Sequence, residues 1–211
     1  MGTCAIGGQA VGTAAAIAVK YGCSPKEVGK NHIKELQQTL LKEDCYIPGI
    51  KNQDELDLAR KMKVSASGFT GEDKPENVLS GVTRGTEEGS HIWQSQNFSN
   101  GNAWIELESD LPLKVNQIRI TFDPDLNKEI MITQTKRRQD LIVKGMPISL
   151  VKDYTVTCYD KGKQTFKKVV KDNLERLAVI DAPDVLMDKL VVEVQSTYGC
   201  EHARIFEIRV Y

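Results

Sequence analysis

No surplus of either charge marks this sequence. Its 28 Lys and Arg stand against 29 Asp and Glu, leaving a net charge of −1 over 211 residues. The basic field of a nucleic-acid binder is therefore missing, and no DNA- or RNA-reading motif occurs. Cysteine is sparse and poorly spaced for chemistry. Cys4, Cys23, Cys45, Cys158 and Cys200 never form a Cys-x-x-Cys pair, which argues against a zinc site or a redox motif. Five is an odd number, so a complete disulfide framework is excluded. Cys158 and Cys200 fall in predicted β regions, where they are either bridged or buried as free thiols. The three histidines lack metal-ligand spacing, and no bound metal is expected. Long hydrophobic runs are also missing. The near-apolar stretch from Ala10 to Val19 is too short for a bilayer, which takes about 20 residues. No basic segment precedes it, as one would in a signal peptide. No Ser–His–Asp set and no carboxylate pair stands out, so no catalytic residue is expected.

What is present changes character near residue 63. Before it, the pattern is helical. The alanine-rich run AVGTAAAIAVKYG ends at Gly22, a C-cap residue. Ser24-Pro25-Lys26-Glu27 has the capping-box pattern with proline at the first helical position. Ile33, Leu36, Leu40 and Leu41 then recur at helical spacing, and Pro48-Gly49 breaks the chain. The expected divisions are a helical segment over 1–49, a linker helix over 50–63 from DELDLARKM, and a β domain over 64–211. In the β domain apolar residues alternate at period two. Ile118, Ile120 and Phe122 do so, as do Tyr154, Val156 and Cys158, and Phe206, Ile208 and Val210. Several such strands between polar loops predict an antiparallel sandwich or barrel, a mainly β fold after a short α-helical start. The basic run KGKQTFKKVVK, beside an Asp160-Lys161-Gly162 turn, reads as a solvated hairpin face.

The β domain resembles the discoidin family, the coagulation factor 5/8 C-terminal type of galactose-binding-like domain. The matching stretches, in order, are Val64-Ser65-Ala66-Ser67, Glu76 to Gly81, His91-Ile92-Trp93-Gln94-Ser95, Ala103 to Leu107 with Val115 to Ile120, and Ala203 to Tyr211. Asp123 to Met146 does not align. The resemblance implies an eight-stranded jelly roll with ligand loops at one end, and ligands among sugars, phospholipid head groups or proteins. It also implies a structural calcium held partly by the Asp of an Asp-Gly pair and a Glu of the last strand. Glu207 matches, but Ser80 stands where the Asp belongs. Calcium prefers six to eight oxygens, many of them carboxylate, so the site is expected to be empty or weak.

The first segment, Gly2 to Ala16, resembles the C-terminal end of a family of FAD-dependent oxidoreductases. There this stretch starts a helix whose N-terminus points at the flavin. Free N–H groups and the positive helix end suit a ring carbonyl or a pyrophosphate. Gly7, Gly8, Gln9 and Ala10 are accordingly the residues expected to contact FAD, in a full-length parent only. The bland alternative is a tightly packed alanine-rich helix. The dinucleotide fingerprint Gly-x-Gly-x-x-Gly is absent, so no cofactor is expected in this chain itself. A chain that opens inside this motif reads as a piece of a longer one, periplasmic or secreted if that parent carries a signal peptide.

The expected ligand residues are Arg84, His91, Trp93 and His202. An aromatic face suits the C–H surface of a sugar, and fixed donors suit its hydroxyls. Arg84 to Trp93 lie in one long loop, TRGTEEGSHIW, made acidic by Glu87 and Glu88. Trp104 falls in the strand pattern and is expected in the core. The function expected is a non-catalytic accessory domain, with carbohydrate and the rest of the oxidoreductase as partners. The alternatives are a structural domain that packs on or dimerises the parent, and oxidoreductase activity confined to the full-length protein.

Overall fold

The computed structural model describes residues 2–87, 89–98, 101–126, 135–139, 142 and 144–211. Much of the unaligned stretch Asp123 to Met146, and Glu88 of the acidic loop, lie outside the described residues.

Three helices come first: α1 over Gly2–Tyr21, α2 over Pro25–Asn31 and α3 over Ile33–Lys42. The capping box forms as its sequence predicts. The Ser24 amide donates to Glu27 Oε2 at 2.8 Å and the Glu27 amide to Ser24 Oγ at 3.4 Å. Ile17, Ala18 and Val28 make a small core of their own, with Leu36 against it. The rest of α1 has little to pack on: Ile6, Val11 and Val19 are 58%, 71% and 84% exposed. Among the described residues no helix is long and apolar enough to cross a membrane.

The linker helix expected over 50–63 is replaced by a 3-10 turn at Leu58–Lys61, capped by Asp57. The chain here bonds to the β domain as well as to itself. The Asn52 amide donates to Gly81 O at 2.9 Å, and Asp57 Oδ1 accepts from the Val210 amide at 3.0 Å. Gly81 has φ +76°, and a Cβ there would lie 2.9 Å from the Asn52 nitrogen. Only glycine permits both that backbone and that approach.

Seven strands form among the described residues, against the eight that the resemblance implies. They are β1 (Lys63–Ala66), β2 (Trp93–Gln94), β3 (Ala103–Phe122), β4 (Val151–Asp160), β5 (Lys163–Val170), β6 (Leu177–Thr197) and β7 (Arg204–Val210). β3 and β6 pair antiparallel from Ala103↔Val194 to Thr121↔Leu177, with a register shift between Glu108 and Leu113. That irregularity divides both strands between two layers. β1, the first half of β3, the second half of β6, β4 and β5 form one layer. β2, β7, the second half of β3 and the first half of β6 form the other. Ile105, Leu107 and Val192 from the first layer share one core with Ile118, Ile120 and Ile208 from the second. The rings of Phe122 and Tyr154 meet across it at 5.0 Å.

Trp104 corrects its expectation. Ala103, Ile105 and Leu107 take the inward positions, so Trp104 faces out and is 37% exposed. All five cysteines are free thiols, which settles the pairing of Cys158 and Cys200. Cys158 is fully buried, and burial pushes its thiol up to about 12.

Candidate functional site

At one end of the second layer, β3, β6 and β7 converge on a cavity of about 170 Å³. The Phe122 amide donates to Arg176 O at 2.8 Å, and the Asp123 amide to Arg204 O at 3.2 Å. Those two backbone bonds set Arg176 and Arg204 on either side of the Asp123 carboxylate. Loop 83–92 closes the other side with Arg84, Ser90, His91 and Ile92, and Asp73 joins them. Phe206 lines the cavity with the rim of a ring that is otherwise buried, 7% exposed. Its position follows from a β-bulge. Pairing slips between Thr121↔Glu207 and Phe122↔Ile205, so Ile205 and Ile208 both enter the core and Phe206 is turned out toward the cavity.

The charged groups here are individually placed. Arg176 makes a two-point pair with Asp44, at 2.5 and 3.2 Å, and donates to Thr83 O at 2.6 Å. Its guanidinium carbon lies 5.3 Å from the centre of the Phe206 ring. Arg204 pairs with Asp123 at 2.9 Å. Arg84 is half-buried and makes no ion pair or hydrogen bond among the described residues. Burial, and then repulsion from Arg176, pull its pKa below the ordinary guanidinium value. Ser90 donates to Asp73, while His91 Nε2 lies 3.0 Å from the Thr86 hydroxyl. Serine, histidine and aspartate are thus present but not wired as a nucleophile and its base. The arrangement offers polar side chains around one cavity, which suits holding a polar ligand.

Of the four residues expected to hold a ligand, Arg84 and His91 line this cavity and Trp93 and His202 do not. Trp93 is a correction. Its side chain is fully buried in the core, and its indole N–H donates to Gly68 O at 3.0 Å. His202 holds its Nδ1 2.9 Å from Ser95 O instead. Asp73, Asp123, Arg176, Arg204 and Phe206 were not legible as site residues. Strand alternation counts Phe206 as core, and the arginines reach the cavity only through the pairing of distant strands.

The two resemblances name two further positions. Helix α1 starts at Gly2, so the amides of Gly7, Gly8, Gln9 and Ala10 bond within the helix to carbonyls four residues back. They have no free N–H to offer a flavin, and a Cβ on Gly7 or Gly8 would meet nothing within 4 Å. In this chain by itself the four residues make no contact of the kind expected with FAD in a full-length parent. The position that the resemblance gives to calcium does not fit a metal. Glu207 is buried, accepting from Arg209 Nε at 2.7 Å and from Asn52 Nδ2 at 3.3 Å. Ser80 Oγ accepts from the Val82 amide at 3.3 Å. A guanidinium and an amide occupy the acid that a cation would need. Among the described residues no group of three or more His, Cys, Asp or Glu side chains is placed to hold a metal.

No family model matches the chain, and no curated protein matches it in sequence. Its structure is similar to a fucose binding module of Streptococcus pneumoniae, at 13% identity and TM-score 0.55, covering 74% of this chain and 96% of that one. It is similar to the lectin domain of lectinolysin complexed with Lewis B antigen, at 12% identity and TM-score 0.52, covering 74% and 95%. It also resembles chitosan-binding module 1 of a chitosanase/glucanase from Paenibacillus sp. IK-5, at 14% identity and TM-score 0.50, covering 74% and 98%. At these identities the likeness is one of fold: the chain carries a galactose-binding-like antiparallel β-sandwich behind a short helical segment.

Proposed function

We propose that this chain is a non-catalytic carbohydrate-binding module whose site is the cavity between loop 83–92 and the head of β7. The observation that carries the reading is the convergence of Arg84, His91, Asp73 and Ser90 on a cavity bearing the Phe206 ring. Fixed polar forks select hydroxyl geometry, and an aromatic surface takes the apolar side of a pyranose. The similar fold of a fucose binding module, of a lectin domain complexed with Lewis B antigen and of a chitosan-binding module supports it. A glycan array probed with the purified chain tests this directly. Binding to at least one glycan class is expected, with a loss of about tenfold in affinity for each of Arg84→Ala and His91→Ala, from one charged or polar hydrogen bond apiece. An array with no positive glycan, or binding unmoved by both substitutions in folded protein, overturns the reading.

In the same proposal the helical segment belongs to the C-terminal end of a FAD-dependent oxidoreductase and packs on that parent through α1. Support comes from the residues of Gly2 to Ala16 and from the exposure of Ile6, Val11 and Val19, since a helix apolar all round is ordinarily buried. Joined to such a body, α1 is expected to exchange its amide hydrogens far more slowly than in this chain alone. Equal exchange in the two proteins removes the oxidoreductase from the proposal.

A further inference from the structure

We propose that the sugar held in this cavity carries an acidic group, a carboxylate or a sulfate, and that Arg84 receives it. The inference rests on the carbohydrate reading and narrows it to a ligand class.

Most of the charge around the cavity is already matched. Three guanidiniums line the cavity, those of Arg84, Arg176 and Arg204. Arg176 is satisfied by Asp44 and Arg204 by Asp123. Arg84 has no such partner among the described residues. Attraction to Asp44 and Asp123 offsets only part of the cost of burial and of repulsion by Arg176, so this half-buried guanidinium without a direct ion pair is left unfavourable. An anion entering the cavity relieves both terms. The guanidinium fork, with parallel N–H donors, matches the paired oxygens of a carboxylate or sulfate better than a single hydroxyl. Arg176 Nη1 and Arg204 Nε are buried without a hydrogen-bond acceptor, so both guanidiniums keep uncompensated positive charge beside the cavity.

The rest of the lining explains why the anion should be attached to a ring. Asp73 repels a free anion, but it accepts hydrogen bonds from sugar hydroxyls, as does the His91 imidazole in its neutral form. Ile92, Leu126 and Phe206 offer apolar surface that a small inorganic ion cannot use. Acidic group toward Arg84 and hydroxyls toward Asp73 is the orientation in which every charge finds a complement.

The test is isothermal titration calorimetry on the full chain. Galacturonate is compared with galactose, glucuronate with glucose, and galactose 6-sulfate with both, with inorganic sulfate as the ring-free probe. One acidic sugar is expected to bind on the order of tenfold tighter than its neutral counterpart, the gain from a charge-assisted pair. Which of the carboxylate and sulfate arms responds identifies the anion. Arg84→Gln should bring the acidic-to-neutral ratio to about one, and Arg84→Lys should keep part of it. Neutral sugars binding as well as acidic ones overturns this inference and leaves the carbohydrate reading standing. Inorganic sulfate binding as tightly as any acidic sugar overturns it too, since the ring then contributes nothing. If no sugar binds at all, both readings fall together.

Discussion

Replacing Arg209 by methionine is expected to cost about 3–5 kcal/mol of folding stability at neutral pH, the range for removing one partner of a buried ion pair. Arg209 is 3% exposed and lies against two buried carboxylates. It donates to Glu207 Oε2 at 2.7 Å, and Asp57 sits within the same cluster through Asn52 Nδ2, which reaches Asp57 at 3.1 Å and Glu207 at 3.3 Å. Without the guanidinium, both acids are left in a dry environment. The same side chain also ties the helical segment down, donating to Leu41 O at 3.3 Å. Beside it Lys42 Nζ rests 3.5 Å from the centre of the Tyr211 ring, and Arg119 pairs with Glu43 at 3.0 Å.

This loss should depend on pH, and the sign is fixed by the direction of the shifts. Burial, with one guanidinium for two acids, raises both Glu207 and Asp57 above their ordinary values. Between the unfolded and folded pKa values the native state then binds more protons, so stability falls as pH rises through that window. Their favourable contribution is complete below the unfolded values and is lost above the folded ones. Deleting the cation raises both carboxyls further, so the cost of Arg209→Met should shrink as the buffer moves from neutral toward pH 5. Adding Glu207→Gln to Arg209→Met should recover part of the loss for the same reason. Urea midpoints at the two pH values decide it. A loss that is the same at both, or a double variant no more stable than the single, would count against a charge-based account.

The sequence and the structure agree where the determinants are local. Ser24 and Glu27 specify a helix start within one turn, so spacing alone reveals it. The alternations through Ile118 to Phe122 and Tyr154 to Cys158 report a buried sheet face, because successive side chains of a strand point to opposite sides. Legibility fails where position depends on a partner far along the chain. Two residues of β2 are too few to reveal a period, so nothing local says that Trp93 points inward. For Trp104 a place in the strand pattern predicts the core, but the inward phase runs through Ala103, Ile105 and Leu107 and turns Trp104 outward. A bulge resets the phase of β7 at Phe206. Asp44 reaches Arg176 across 132 positions of sequence; no pattern within either segment could pair them. The candidate site is built almost wholly from such distant meetings, which is why the sequence points to only Arg84 and His91 among the residues lining this cavity.

Trp93 separates a structural role from a binding one, and Trp93→Ala should be among the most damaging single changes in the molecule. The indole is completely buried among the sandwich core. Truncating a buried tryptophan to alanine costs about 3–5 kcal/mol, from lost transfer energy and the cavity left behind. The cut also removes the donor to Gly68 O, leaving a half-buried carbonyl without that partner. Phenylalanine at this position keeps most of the packing and loses mainly that bond, so Trp93→Phe should cost about 1 kcal/mol together with the small void left by the missing ring atoms. Thermal melts of the two variants should therefore rank wild type, Trp93→Phe and Trp93→Ala in order of decreasing stability. Loop 83–92 runs straight into this residue, so the anchor also steadies Arg84 and His91. The binding measurement belongs at low temperature, on the fraction of Trp93→Phe that remains folded. Glycan affinity there should match wild type, because the ring touches no part of the cavity. A Trp93→Phe protein with wild-type stability and lost binding would place the indole at the ligand and return the site to where the sequence first put it.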